Sequence, residues 1–212
     1  SSSWRRRQRD QAAVNRQFST LLESRAKGEH DDFWRAAKTS WLEGARRLGD
    51  YQMARAALIE VADDLAAQPV SELARSRYLR FLREHGEAEW RDGGWTEFHQ
   101  KLLQHLDTAA RLAEQPDERG WFTLQSALLA DSPSIPKEER EKRWKVAVES
   151  SRGAAAALAR ARRFLFEVQT GFAPGVPMDV PVDLVARRAE LRALKAELQT
   201  SDETSATKDV LR

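Results

Sequence analysis

Apolar side chains recur every three or four residues along most of the chain, as they do on the buried face of an α-helix. One such stripe consists of Trp34, Ala37, Trp41, Ala45 and Leu48. Segments that alternate apolar and polar side chains with β-branched enrichment, as strands do, are scarce. The pattern therefore predicts an all-α protein, a helical bundle of about seven or eight helices.

Helix-capping and helix-breaking residues predict where these helices begin and end. Asp31 and Asp50 each precede an apolar stripe, where an aspartate accepts hydrogen bonds from the first turn of a helix. Gly49 favours the left-handed conformation that ends a helix. The glycine-rich residues 86–94 indicate a loop or a sharp corner. Helices are predicted over residues 31–48, 50–68, 71–85, 95–115 and 117–130, followed by a long central helix near 136–168.

The composition of the remaining segments predicts the domain organisation. Residues 1–170 are expected to form one helical bundle, with the first turns of helix 1 projecting because they lack apolar residues at stripe positions. Residues 171–182 hold three of the seven prolines and are expected to form a linker or an extended strap. A C-terminal amphipathic helix is predicted over 183–200, and the polar residues 201–212 have the composition of a disordered tail.

The residue types that several kinds of site require are missing or unsuitably spaced. The chain has no cysteine, which excludes a disulfide scaffold, a thiolate zinc site and a cysteine nucleophile. His99 and His105 are six residues apart, so on one helix they point about 120° apart and cannot form the i, i+4 pair of a metal site. We therefore expect no metal and no cofactor, and we interpret the chain as non-enzymatic.

The segment from Arg80 to His85 places an arginine five residues before a histidine. This spacing resembles the Arg-x4–6-His motif of the HEPN ribonucleases, an all-helical family in which the two residues act on RNA at a dimer cleft. The resemblance covers two residues of this chain, and Phe81 stands where the family has a polar residue. It implies, as one alternative, a ribonuclease that uses Arg80 and His85.

Two parts of the chain are candidates for contacts with a partner. Trp90 lies beside Arg91 in the glycine-flanked segment, and this pairing of residue types is typical of interface hot spots. The leucines of the last predicted helix recur every seven residues and give it an amphipathic face. The interface candidates are Trp90, Arg91, Leu184, Leu191 and Leu198.

A basic helix face suits the alternative of a nucleic-acid-binding protein and consists of Arg75, Arg77, Arg80 and Arg83.

The N-terminal residues carry a cluster of positive charge, formed by Trp4 followed by Arg5, Arg6, Arg7 and Arg9. A tryptophan followed by arginines is typical of the cytoplasmic end of a membrane-spanning helix. The longest apolar runs have about five residues, against roughly 18–20 in a spanning helix, so any membrane segment is expected outside these residues. The other interpretation is a basic helix start behind a serine-rich expression scar.

The sequence as a whole favours a helical protein–protein interaction or scaffold module that binds another protein or a second copy. Arginine outnumbers lysine 27 to 8, which together with the alanine content indicates a bacterial source. The module is expected to be cytoplasmic and membrane-associated, at the inner face of a membrane through its N-terminus. Seven tryptophans make the chain tryptophan-rich, and those that fall on apolar stripes are expected to anchor the core.

Overall fold

The computed structural model describes residues 30–91, 94–171 and 184–200, and the isolated residues 13, 16 and 20. The three continuous ranges contain eight α-helices and one short 3₁₀ helix and no strand, so the predicted all-α helical bundle is confirmed. The elements are α1 (Asp32–Leu48), α2 (Tyr51–Ala66), α3 (Glu72–His85), the 3₁₀ helix (Ala88–Arg91), α4 (Glu97–Leu112), α5 (Pro116–Leu129), α6 (Lys137–Ser150), α7 (Gly153–Gly171) and α8 (Leu184–Thr200).

The first two helices begin and end where the capping residues predict. The side chain of Asp31 accepts a hydrogen bond from the backbone N–H of Trp34 at 2.9 Å, and Asp50 accepts one from Met53 at 3.1 Å. Gly49 ends α1 with a φ of 76°, which a glycine adopts without strain. These local interactions fix the short turn between α1 and α2, and the two helices pack against each other.

The segment near 136–168 was predicted as one long helix, but the structure divides it into α6 and α7. Ser151 has extended backbone, with φ −90° and ψ 155°, and Gly153 has a left-handed φ of 56°. The break lets α7 pack against α6 instead of continuing it. Gly153 was therefore a helix-breaking signal inside an otherwise helical pattern.

The chain divides into two compact units, Ser1–His85 and Gly86–Arg212. In the first unit, α2 packs against both α1 and α3. In the second, each helix from α4 to α8 packs against the next one along the chain, and α5 also contacts α7 and the 3₁₀ helix. The predicted single domain over residues 1–170 stays a prediction.

Charged side chains join the three described helices of the first unit, α1 to α3. The guanidinium of Arg35 donates to Asp64 Oδ2 at 2.6 Å, to Asp32 Oδ1 at 2.9 Å and to the carbonyl of His30 at 2.9 Å. Arg77 on α3 donates to the same Asp32 oxygen at 3.1 Å. Because Arg35 bonds Asp64 of α2 and Asp32 bonds Arg77 of α3, this network holds the start of α1 against α2 and α3.

The core of the second unit forms around Trp144, whose side chain is fully buried. Small and apolar side chains from α5, α6 and α7 surround it: Leu124, Ala127, Ala147, Leu158, Ala159 and Phe166. Trp34 is likewise buried in the first unit, as expected of a core anchor, whereas Trp41 and Trp95 are only partly buried. Burying large aromatic side chains supplies much of the hydrophobic stabilisation of such units.

Candidate docking surface

Trp90, predicted as a loop residue at an interface, lies in the core of the second unit and is only 3% exposed. It sits on the 3₁₀ helix, its ring meets Phe98 edge to face at 5.8 Å, and its carbonyl accepts a hydrogen bond from His99 Nε2 at 2.8 Å. A buried ring is not available to a partner, so we do not retain Trp90 as a contact residue. Arg91 ends the same 3₁₀ helix, and its side chain lies outside the described residues.

The arginine row on α3 does not form one uniform basic face. Arg80 and Arg83 are exposed, while Arg75 is partly buried and Arg77 is occupied by its ion pair with Asp32. Salt-bridged arginines are less available to phosphate groups than a continuous basic stripe would be. The geometry therefore gives the nucleic-acid alternative little support.

His85, the histidine of the ribonuclease-like spacing, is buried, whereas Arg80 is exposed. Burial lowers the pKa of His85, although the negative charges of Glu43 and Glu84 oppose this effect. Residues five apart on a helix point about 140° apart, so α3 by itself directs the two side chains to different sides. The helix does not bring this arginine and histidine into one cleft.

The predicted C-terminal amphipathic helix is present as α8 and has an apolar stripe that its own unit covers only in part. Leu194 is 7% exposed, whereas Leu191, three residues earlier on the same stripe, is 46% exposed. Leu184 and Leu198 share the heptad position of Leu191, and their side chains lie outside the described residues. Of the α8 leucines whose side chains are described, Leu194 packs inward and Leu191 faces solvent.

An open groove of about 540 Å³ lies beside α8, bounded also by α6 and α7. Its apolar surface comes from Val148, Phe164, Ala193 and Leu194, and its charged surface from Arg160, Arg163, Glu167 and Glu190. Arg163 Nε lies 2.9 Å from Glu167 Oε1, an i, i+4 ion pair on α7. The groove has room for apolar side chains of a docked segment, and its lining charges balance.

Positive charge is concentrated on the helices that border this groove. Together α7 and α8 carry seven arginines and lysines against three glutamates, whereas the whole chain has a net charge of only +2. Within four residues of Leu191 along α8, the cations whose side chains are described are Arg188, Arg192 and Lys195, and all three are exposed. An exposed leucine among cations is thus the main feature of this surface.

A second polar cluster joins α4, α5 and α6 and was not predicted. Arg143 binds both carboxylate oxygens of Asp107, at 2.8 and 3.0 Å, and donates to Ser126 Oγ at 2.6 Å. Its Nε lies 2.9 Å from Glu139 Oε1. Burial works to lower the pKa of Arg143, but these carboxylates outweigh burial and raise it. Since the cluster pairs opposite charges of α4 and α6 and adds a hydrogen bond to Ser126 on α5, we interpret it as a structural tie.

The described residues provide little support for other kinds of site. They contain no group of three or more histidine, aspartate or glutamate side chains placed to hold a metal ion. None of the helices in this part of the chain combines the length and hydropathy needed to cross a bilayer. Comparisons with protein-family models, with curated proteins and with solved structures give no match.

Proposed function

We propose that this chain is a helical protein–protein interaction module that docks a partner protein along the exposed side of α8 that carries Leu191. The observation that carries the proposal is the exposure of Leu191 on a stripe whose neighbour Leu194 is buried. An amphipathic helix that packs its apolar face against another protein is a recurring mode of peptide recognition.

The composition of the surface favours a protein over other ligands. Phosphate groups would pair with the cations of α8 but would leave Leu191 uncovered. A protein segment supplies both apolar and charged side chains in a shape that fits.

We further propose that the module works at the cytoplasmic side of a membrane. The support is the N-terminal cluster of Trp4 and its following arginines, a composition typical of a juxtamembrane segment. Vesicle flotation of the protein expressed from its complete gene would test this, and a product that stays wholly in the aqueous fraction would contradict it.

A displayed library of random 16-residue peptides, selected on the purified 212-residue chain, tests the docking proposal. We expect selected peptides to bind Leu191→Glu about three- to tenfold more weakly. Complete burial of a leucine contributes about 1.5–3 kcal/mol, and Leu191 is 46% exposed, so about half of that remains to be gained on binding. Leu73→Glu is the matched control, since Leu73 is an exposed leucine of the first unit. Selection of no peptide, or of peptides that bind both variants like the wild type, would count against the proposal.

A further inference from the structure

We infer that the partner segment is an acidic amphipathic helix in which two carboxylates, seven residues apart, flank an apolar side chain. This inference rests on the proposed function and specifies the chemistry of its partner. It starts from three exposed residues on α8, namely Arg188, Leu191 and Lys195.

The spacing of these residues sets the spacing of the partner. Arg188, Leu191 and Lys195 stand at positions i, i+3 and i+7, so they share one side of α8. The two cations are separated by about 10 Å along the helix axis, at 1.5 Å per residue. A partner helix lying along α8 has the same rise, so carboxylates seven residues apart meet both cations while a leucine between them covers Leu191.

The charge distribution selects an acidic partner over a second copy of α8. A second α8 stripe would bring Arg188 and Lys195 close to their own equivalents, and like charges facing each other are destabilising. Glu190, the acidic residue nearest to Leu191 along α8, lines the groove instead. An acidic helix avoids this repulsion and places opposite charges against both cations.

The groove lies on a different side of α8 from these cations. Glu190, Ala193 and Leu194 line it, whereas Arg188, Leu191 and Lys195 do not. Residues two apart on a helix point about 160° apart, so Ala193 and Leu191 lie on opposite sides of α8. Charge selectivity therefore comes from the outer cations of α8, and Leu191 supplies the hydrophobic contact.

A designed helical peptide with the repeat Glu-x-x-Leu-x-x-x-Glu tests the inference by fluorescence anisotropy on the full chain. We expect it to bind at least about tenfold more tightly than the isomer with lysine in place of glutamate, and to weaken as salt screens the exposed charges. The variant Arg188→Glu/Lys195→Glu should reverse this preference and bind the lysine isomer. Arg80→Glu/Arg83→Glu on α3 is the matched control and should leave the original preference unchanged, with circular dichroism confirming that both variants fold.

Other outcomes would overturn the inference. Equal binding of the glutamate and lysine peptides, or a preference that the Arg188→Glu/Lys195→Glu variant does not reverse, contradicts it. The inference is also contradicted if the acidic peptide does not bind but phosphatidylserine vesicles or a 20-nucleotide RNA do, through Arg188 and Lys195. If library peptides without acidic residues bind through Leu191, the inference fails and the proposed function stands. If no peptide of any charge binds, both fail.

Discussion

Gly120 on α5 lies against the backbone at the break between α6 and α7, and an alanine there tests this packing. A Cβ on Gly120 would lie 2.7 Å from the Ser150 carbonyl oxygen and 2.9 Å from Ser151 Cα. The second distance is at least about 0.6 Å shorter than the favourable separation of two carbon atoms. Because both neighbours are backbone atoms, neither can move aside as a flexible side chain would.

Opposing effects determine how much Gly120→Ala changes the free energy of unfolding. Alanine is favoured over glycine inside a helix by about 1 kcal/mol. Overpacking a buried contact costs about 1–3 kcal/mol. Displacing the backbone would also weaken the hydrogen bond from Ser151 Oγ to the Gly120 carbonyl, now 3.3 Å long and worth about 1 kcal/mol. We expect a net loss of about 1–3 kcal/mol in the free energy of unfolding.

Urea unfolding followed by tryptophan fluorescence measures this difference for the second unit. Ser151→Ala is the control, since it removes the hydrogen bond without adding a Cβ to Gly120 and should cost about 1 kcal/mol or less. If Gly120→Ala proves as stable as the wild type, or more stable, helix propensity decides the outcome. The close approach of α5 to the α6–α7 break would then be refuted.

Three further predictions concern single side chains. Burial holds the pKa of His85 below 6.5, so protons bind preferentially to the unfolded chain. The free energy of unfolding of the wild type should therefore fall as pH falls below about 6.5. In parallel urea titrations, His85→Gln should lose less stability than the wild type between about pH 7.5 and 5.5. Asp107→Asn leaves Arg143 without its bidentate partner. Urea unfolding should show that the free energy of unfolding falls by about 1–2 kcal/mol, and not by more, because Asp107 is partly exposed. An unchanged midpoint would contradict the structural tie. Asp31→Ala removes the N-cap of α1, and thermal unfolding should show that the free energy of unfolding falls by about 1 kcal/mol. The control is Asp32→Ala, which removes ion pairs and leaves the cap. An equal loss in this control would show that the ion pairs matter as much as the cap.

The sequence predicted those parts of the fold that depend on near neighbours. Asp31 and Asp50 cap helices through bonds that span three residues, and the seven-residue leucine repeat predicted α8. Such signals are readable because donor and acceptor lie within one helical turn. For the same reason, the sequence predicted where helices form better than it predicted what surrounds their side chains.

Features that depend on contacts between distant segments were not predictable. Trp90 was expected in a loop, but its ring is buried where the 3₁₀ helix packs against α5, and the N–H of Ala88 in that helix donates to Gln125 Oε1, 37 residues away. Arg143 meets Asp107 across 36 residues, and no local pattern marks that pair. For the candidate docking surface, the leucine repeat was visible in the sequence, whereas the exposure of Leu191 beside buried Leu194 required the structure.

The packing of helices against their neighbours in the chain has a consequence for how the protein folds. Most packed pairs in the described ranges are consecutive helices, from α1 with α2 to α7 with α8. Contacts between segments close in sequence require little loop closure, so such chains have a low contact order and fold quickly. Within each unit, a helix can pack on the preceding one as synthesis proceeds, and α8 comes last among the described helices. The helix we assign to partner binding is therefore synthesised after the other described helices of the second unit.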